Sequence, residues 1–371
     1  MRWSLPIGRY LGIAVYVHWT FSLLLIYILY RYLSIGAGWM AALGGMGFVL
    51  AVFFCVLLHE YGHAIAARRY GVATRDITLL PIGGLARLER MPEHPREEAI
   101  VAIAGPMVNV VIAAVLGVIV LATGAFPTMM SDLVAPGSAL LAQLMVVNLL
   151  LVVFNMIPAF PMDGGRVLRA LLATRMPRVR ATRIAGSIGQ MMAILIATFG
   201  LIVLHNPFML LIAIFVYLGA QSETEYVEAR DSLEGMTAGD GMINDFHALP
   251  AETRMIDAAS LMTSGSQTEF PVLDDDGNLR GLISSTEVVR ALAAGREAAP
   301  VSGDMRTNPV IVDPSDPLGP LLESVHGDQG AAVVVREGQV VGLVTPGNVG
   351  ELVMIRRALK AAKDRISTGV G

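Results

Sequence analysis

Two histidines and a glutamate stand where ionisable side chains are hard to accommodate. His59, Glu60 and His63 directly follow an apolar run that extends from Ala41 to Leu58. Histidines four residues apart lie on one face of a helix, so both imidazoles can reach a single zinc ion while Glu60 polarises a bound water. Ionisable groups at bilayer depth are usually functional. The sequence therefore predicts a zinc hydrolase site inside a membrane.

A third ligand must come from elsewhere in the chain, because catalytic zinc typically takes three protein groups plus water. Residues 155–166 supply a lone carboxylate, Asp163, in apolar surroundings. Pro158 and Pro161 break the helix there, and the freed backbone is tolerated at depth only against protein or a wet cavity. Asp163 is the best candidate for the third ligand. The alternative is that Asp163 simply caps the helix that follows it.

The composition divides the chain into a membrane half and a soluble half. Of 371 residues, 54% are hydrophobic and 16% charged, and the apolar blocks end near Leu218. A net charge of -4 provides no basic field, which excludes nucleic acid as an expected partner. The one cysteine, Cys55, cannot form an intrachain disulfide and is expected to pack as a small hydrophobe.

Six apolar segments are long enough to cross a bilayer, and the first is expected to be a retained helix. They are residues 17–34, 41–67, 99–123, 138–160, 185–204 and 207–220. Arginines cluster after the second and fourth segments, whereas the loops 124–137 and 205–206 carry no lysine or arginine. By the positive-inside rule both termini are cytoplasmic, and the candidate zinc ligands share one depth near the cytoplasmic face.

Taken together, the motifs resemble those of the site-2 protease family of intramembrane zinc metalloproteases. The likeness spans about residues 8–220 and rests on four motifs: His59-Glu60-x-x-His63, Asn155-x-x-Pro158-x-x-Pro161-x-Asp163-Gly164, Ala104-Gly105-Pro106-x-x-Asn109, and Gly83-Gly84. The resemblance implies an α-helical polytopic membrane domain of about six transmembrane helices over residues 1–222.

The resemblance also implies a role for each site residue. It assigns zinc to His59, His63 and Asp163, the general base to Glu60, and the substrate backbone to Asn155, Gly83 and Gly84. The implied substrates are single-pass membrane proteins such as anti-sigma factors, membrane-tethered regulators or remnant signal peptides. A preference for arginine over lysine points to a prokaryotic plasma membrane.

A glycine-broken, β-compatible stretch follows the histidine motif at residues 77–88. Peptide bonds in a helix are hidden by their own hydrogen bonds, so a membrane protease must hold its substrate in extended form. The stretch suits a loop that offers an edge for strand addition. A plain surface hairpin is the alternative.

The soluble half contains a repeat. Residues 277–284 recur as 338–345, an offset of 61 residues, and each copy has an apolar run before it and a helical pattern after it. The two α/β copies resemble a pair of CBS domains, at 236–298 and 301–360, of a kind that often binds adenine nucleotides. Glu287 and Asn348 replace the ribose-binding aspartate of that family, which weakens the expectation of a nucleotide. The alternative role is homodimerisation or positioning of a partner.

A rival function is a zinc transporter or sensor gated by the CBS pair. A transporter requires polar residues along a path through the whole membrane. In this chain they concentrate at the cytoplasmic third, which favours the protease.

Overall fold

The computed structural model describes residues 4–81, 83–89, 91–92, 94–123, 140–325 and 330–367. The chain forms two compact units, Met1–Glu225 and Tyr226–Gly371. The predicted loop 124–137 lies outside the described residues.

Helices make up most of the first unit. They are α1 (Thr20–Ser34), α2 (Gly38–Arg69), α3 (Pro95–Thr123), α4 (Leu140–Asn155), α5 (Asp163–Ala173), α6 (Arg178–Ile202) and α7 (Phe208–Ser232). A helix occupies most of each of the six predicted apolar segments, which confirms the predicted fold class. The first of these helices begins at Thr20 and not at Val17, and the fourth ends at Asn155 and not at Phe160. By length and composition, α2, α3, α6 and α7 can each cross a bilayer, while the apolar helices α1 and α4 have 15 and 16 residues. The short amphipathic helix α5 was not among the predicted segments.

Large apolar side chains point outward from these helices. Leu121 is 71% exposed and Phe208 is 75% exposed, and many other large apolar side chains on these helices are exposed as well. So large an exposed apolar surface is stable only in apolar surroundings. Where helices touch, small residues bring the backbones close. A Cβ on Gly62 of α2 would lie 2.8 Å from the carbonyl oxygen of Ala104 on α3. Such contacts are typical of helices packed in lipid. The hydrophobic effect does not drive helix association there, because lipid tails are as apolar as the side chains, so close packing has to hold the helices together.

A four-stranded sheet packs against the histidine-bearing helix. Its strands are β1 (Ser4–Tyr10), β2 (Ile13–His18), β3 (Thr74–Leu80) and β4 (Gly83–Leu88), in the order β1-β2-β3-β4. Strands β2 and β3 are parallel and the outer pairs are antiparallel. Val15 and Ile77 form a buried cluster with Tyr61 and Ala64 of α2. The sheet therefore sits beside the predicted site, with β4 at its edge.

The second unit contains the predicted repeat. The first copy runs β5 (Leu249–Pro250), α9 (Met255–Ser264), β6 (Glu269–Leu273), β7 (Leu279–Ser284) and α10 (Ser285–Ala293), after a short helix α8 (Ala238–Gly241). The second copy runs β8 (Val310–Val312), α11 (Leu318–Val325), β9 (Ala332–Arg336), β10 (Gln339–Val344) and α12 (Pro346–Ser367). Each copy has one parallel and one antiparallel strand pair. A shared cluster that includes Leu282, Val333 and Leu343 joins the copies.

A carboxylate cluster lies in the first copy. Arg306 donates to Glu269 at 2.9 Å and its Nε lies 3.8 Å from Glu287. Burial raises the pKa of Glu269 to about 7, since the opposing attraction of Arg306 does not fully offset desolvation and Glu287 adds repulsion.

This raised pKa makes the unit less stable as pH rises. Between its ordinary pKa of 4.5 and about 7, Glu269 ionises in the unfolded chain while it stays protonated in the folded one. The folded state thus binds more protons, and stability is expected to fall across that window and level off above it. Hydrogen exchange of the β6 amides in the full chain, corrected for intrinsic rates, should show this loss. In Glu269→Gln the loss should be absent, and an equal loss in that variant would contradict the assignment.

Candidate active site

Two imidazoles on α2 present their Nε2 atoms to a common point. His59 Nδ1 is 2.8 Å from Asn109 Oδ1, and His63 Nδ1 is 2.7 Å from the carbonyl oxygen of Val101. Both partners, on α3, are acceptors, so each Nδ1 carries the proton and each Nε2 keeps its lone pair. This is the usual arrangement in which a partner at one ring nitrogen prepares the other to bind a metal.

Asp163 completes the group. Its Oδ2 is 3.3 Å from His59 Nε2 and 3.2 Å from His63 Nε2, and the two Nε2 atoms are 3.0 Å apart. Ligands about 2.0–2.1 Å from a tetrahedral zinc ion lie about 3.3 Å from one another. All three side chains are buried. The donor types and their spacing therefore fit one zinc ion.

The start of α5 aims the Asp163 carboxylate at the histidines. Asp163 is the first residue of α5, while Met162 occupies the N-cap and no side chain caps this end. The interpretation of Asp163 as merely a helix cap is therefore wrong. A Cβ on Gly164 would collide with the carbonyl oxygen of Ile157, and one on Gly165 would lie 2.6 Å from the carbonyl carbon of Ala159. Two glycines are needed because α5 begins pressed against the segment after α4.

Glu60 is held by the edge strand. Its Oε2 accepts the backbone N–H of Ala86 at 3.0 Å. A Cβ on Gly84 would lie 2.7 Å from Glu60 Cγ, so β4 can pass this closely only with glycine there. Gly83 opens the strand at φ +143°, a conformation that side chains disfavour. Residues 77–88 thus contain strands, and their edge lies beside Glu60.

Asn155 is the last residue of α4, and its side-chain N–H donates to the carbonyl oxygen of Leu151 at 3.0 Å. The structure therefore places this amide in a bond within its own helix. Its predicted role toward substrate stays a prediction.

Two residues of α3 matter more than sequence reasoning indicated. Asn109 makes an interhelical hydrogen bond, and its partner is the candidate zinc ligand His59. A Cβ on Gly105 would lie 2.5 Å from His59 Nε2 and would collide with His63 Nε2. The signal was present in the motif Ala104-Gly105-Pro106-x-x-Asn109, whose regular spacing places both residues on one side of the helix.

Comparison with known proteins identifies the family. The profile of peptidase family M50 matches residues 47–134 and 131–197, and that of the CBS domain matches 239–294 and 301–352. A zinc metalloprotease of Methanocaldococcus jannaschii is 30% identical over 98% of this chain and 100% of its own. The chain belongs to peptidase family M50. Rip3 of Mycobacterium tuberculosis, whose name describes a zinc metalloprotease, is 29% identical over 96% of this chain and 94% of its own. The solved site-2 protease of M. jannaschii shares 36% identity with this M50 chain, covering 60% of it and 95% of the other, at a TM-score of 0.45.

Membership in M50 decides between the two candidate functions. This M50 chain is a multi-pass membrane protein and an intramembrane zinc metalloprotease of the site-2 type, and it carries two CBS domains. The comparisons favour the protease over the zinc transporter or sensor.

The close approach of α3 to the imidazoles gives a direct test of the metal site. In Gly105→Ala the new methyl group occupies the space between the two Nε2 atoms, so zinc affinity is expected to fall at least tenfold, as for other disturbed ligand surroundings. Gly117→Ala on the same helix is the control, because its Cβ would meet only Met145 Sδ at 3.4 Å. Zinc content and chelator competition measure the effect. Equal affinity in both variants would contradict a metal at this point.

Proposed function

We propose that His59, His63 and Asp163 hold the catalytic zinc ion and that Glu60 is the general base. The observation that carries this proposal is the convergence of three buried donor atoms at 3.0–3.3 Å from one another. Glu60 adjoins His59 in the chain, and its carboxylate is fixed by the Ala86 N–H.

The side chains divide the work of hydrolysis. Zinc, when bound, supplies Lewis acidity toward the scissile carbonyl and makes a water more acidic. Glu60 accepts the proton of the attacking water on its carboxylate and passes it to the leaving amine nitrogen. Asn109 and the Val101 carbonyl keep the two imidazoles in the tautomer that this requires.

The substrate, we propose, binds as an added strand on β4. The Ala86 N–H donates to Glu60, so at this residue the outer edge of β4 faces the base. An extended peptide on that edge would run past Glu60 with its backbone exposed to attack. A Cβ on Gly83 would meet nothing within 4 Å, so the start of β4 leaves room for it. Gly84, which lets β4 lie against Glu60, and Asn155 are the further candidates for the substrate backbone.

The proposed substrates are single-pass membrane proteins, namely anti-sigma factors, membrane-tethered regulators or remnant signal peptides. Arginines after the second and fourth apolar segments support an orientation with both termini in the cytoplasm and the cut near that face. The arginine-rich composition supports a prokaryotic plasma membrane.

For the CBS module we propose regulation through homodimer formation, without a nucleotide bound through the ribose-binding positions. Glu287 Oε2 accepts the backbone N–H of Ser284 at 2.9 Å, and Asn348 Oδ1 accepts that of Thr345 at 2.7 Å. These side chains close the starts of α10 and α12. Exposed apolar side chains on α9 and α10, including Ile256 and Val289, favour association instead.

The base is tested by Glu60→Gln. The amide can still accept the Ala86 N–H but cannot take up a proton, so zinc should stay bound while cleavage of a co-expressed membrane substrate falls by at least about a hundredfold. Glu97→Gln, at the start of α3, is the matched control and should cleave normally. Unchanged cleavage by Glu60→Gln would remove the proposed base.

The nucleotide is tested by calorimetric titration of the full chain in detergent. AMP, ADP and ATP are each expected to give no saturable heat, because the groups that would bind ribose already cap helices. A saturable heat that Glu287→Gln abolishes would show that the first copy binds a nucleotide and would overturn this part of the proposal.

A further inference from the structure

A buried arginine lies on the same helix as the third candidate ligand, beyond it toward the C-terminal end. Arg169 is on α5 and its side chain is 1% exposed. Its Nε donates to Glu98 Oε1 at 2.7 Å, and another of its nitrogens pairs with Glu223. Glu98 lies in the first turn of α3, and Glu223 lies on α7. One guanidinium therefore ties α5 to two other helices.

The same guanidinium also contacts the chain that precedes Asp163. The Arg169 carbon that bears the two terminal nitrogens is 5.0 Å from the centre of the Phe160 ring, and Phe160 is fully buried. In the chain, Asp163 thus lies between Phe160 and Arg169, whose side chains contact each other, so it joins the segment of Phe160 to the segment of Arg169. A displacement of either segment would move the Asp163 carboxylate relative to the imidazoles.

Stability alone does not account for this network. Burying ion pairs removes hydration that their attraction often fails to recover, and apolar replacements are commonly as stable. What an arginine adds is a rigid fork of donors that fixes the direction of each partner. Arg178 of α6 also approaches Glu98, at 3.4 Å, so a fourth helix joins the network. None of these four side chains belongs to the candidate ligand set.

We infer that Arg169 is a positioning residue for the metal site: by joining α5 to α3 and α7, it holds Asp163 at ligand distance from His59 and His63. The inference rests on the proposed role of Asp163 as a zinc ligand. The inference makes zinc affinity depend on a side chain that is not itself one of the candidate ligands.

The main test measures zinc affinity by chelator competition and the visible absorption of the cobalt-substituted full chain. Arg169→Gln is expected to bind zinc about tenfold more weakly, in the range of other outer-sphere losses, and to change the cobalt bands. Arg175→Gln, an exposed arginine just after α5, is the control and should match the wild type. Glu223→Gln keeps the buried Arg169–Glu98 pair and should shift affinity in the same direction by less. Wild-type affinity and spectra in Arg169→Gln would overturn the inference.

A second variant separates positioning from general stability. A triple variant removes all three charges at once: Glu98→Gln, Arg169→Met and Glu223→Gln. None of these three side chains is then left as a buried charge without its partner, so thermal stability should recover relative to Arg169→Gln. Zinc affinity should nevertheless stay low, because the fork is gone. Recovery of zinc affinity together with stability would make the role of Arg169 structural only. If the triple variant does not fold, Glu223→Gln decides, and wild-type affinity there would also count against positioning.

Asp163→Asn, measured in parallel, separates a failure of the ligand assignment from a failure of the positioning inference. If it binds zinc as the wild type does, the ligand assignment fails. If it binds weakly while Arg169→Gln binds normally, only the positioning inference fails.

Discussion

The membrane unit depends on one geometric constraint: two donor atoms on α2 and one from a distant part of the chain must lie at the mutual distances that ligands of one tetrahedral zinc ion would have. His59 and His63 are on α2, whereas Asp163 starts α5, after two further apolar helices. Side chains that are free to move would separate, because a carboxylate and imidazoles gain little from crowding unless a cation lies between them. The surrounding helices therefore have to supply the rigidity.

Close backbone contact supplies much of it. Gly62 and Gly105 bring α2 and α3 together, and Gly164 with Gly165 brings α5 onto the preceding segment. Each glycine stands where a methyl group would strike a backbone atom or a ligand nitrogen. In lipid such contacts are an important source of helix association, since apolar side chains are solvated equally well by hydrocarbon. The residues that pack the helices are thus the same residues that shape the metal site.

Sequence patterns predicted the parts of the structure that are local or periodic. Segment length and residue period predicted three such features, because each extends over contiguous residues: the His59–His63 spacing, the apolar segments and the CBS repeat. Strand β1 was missed because Pro6 and Gly8 interrupt its alternation, and β5 has only two residues. The Arg169 network could not be predicted, since its members are at positions 98, 169, 178 and 223 and share no pattern along the chain.

The last helix of the membrane unit links this site to the rest of the chain. α7 begins at Phe208 and its final residues belong to the second unit. Along its length, a Cβ on Gly219 would lie 2.6 Å from Pro161, and Glu223 pairs with Arg169. A rotation or shift of α7 must therefore disturb the segment that carries Asp163. A ligand that shifts α7 could thus act on the candidate zinc site from a distance, provided that it binds the two arrangements of the helix with different affinity.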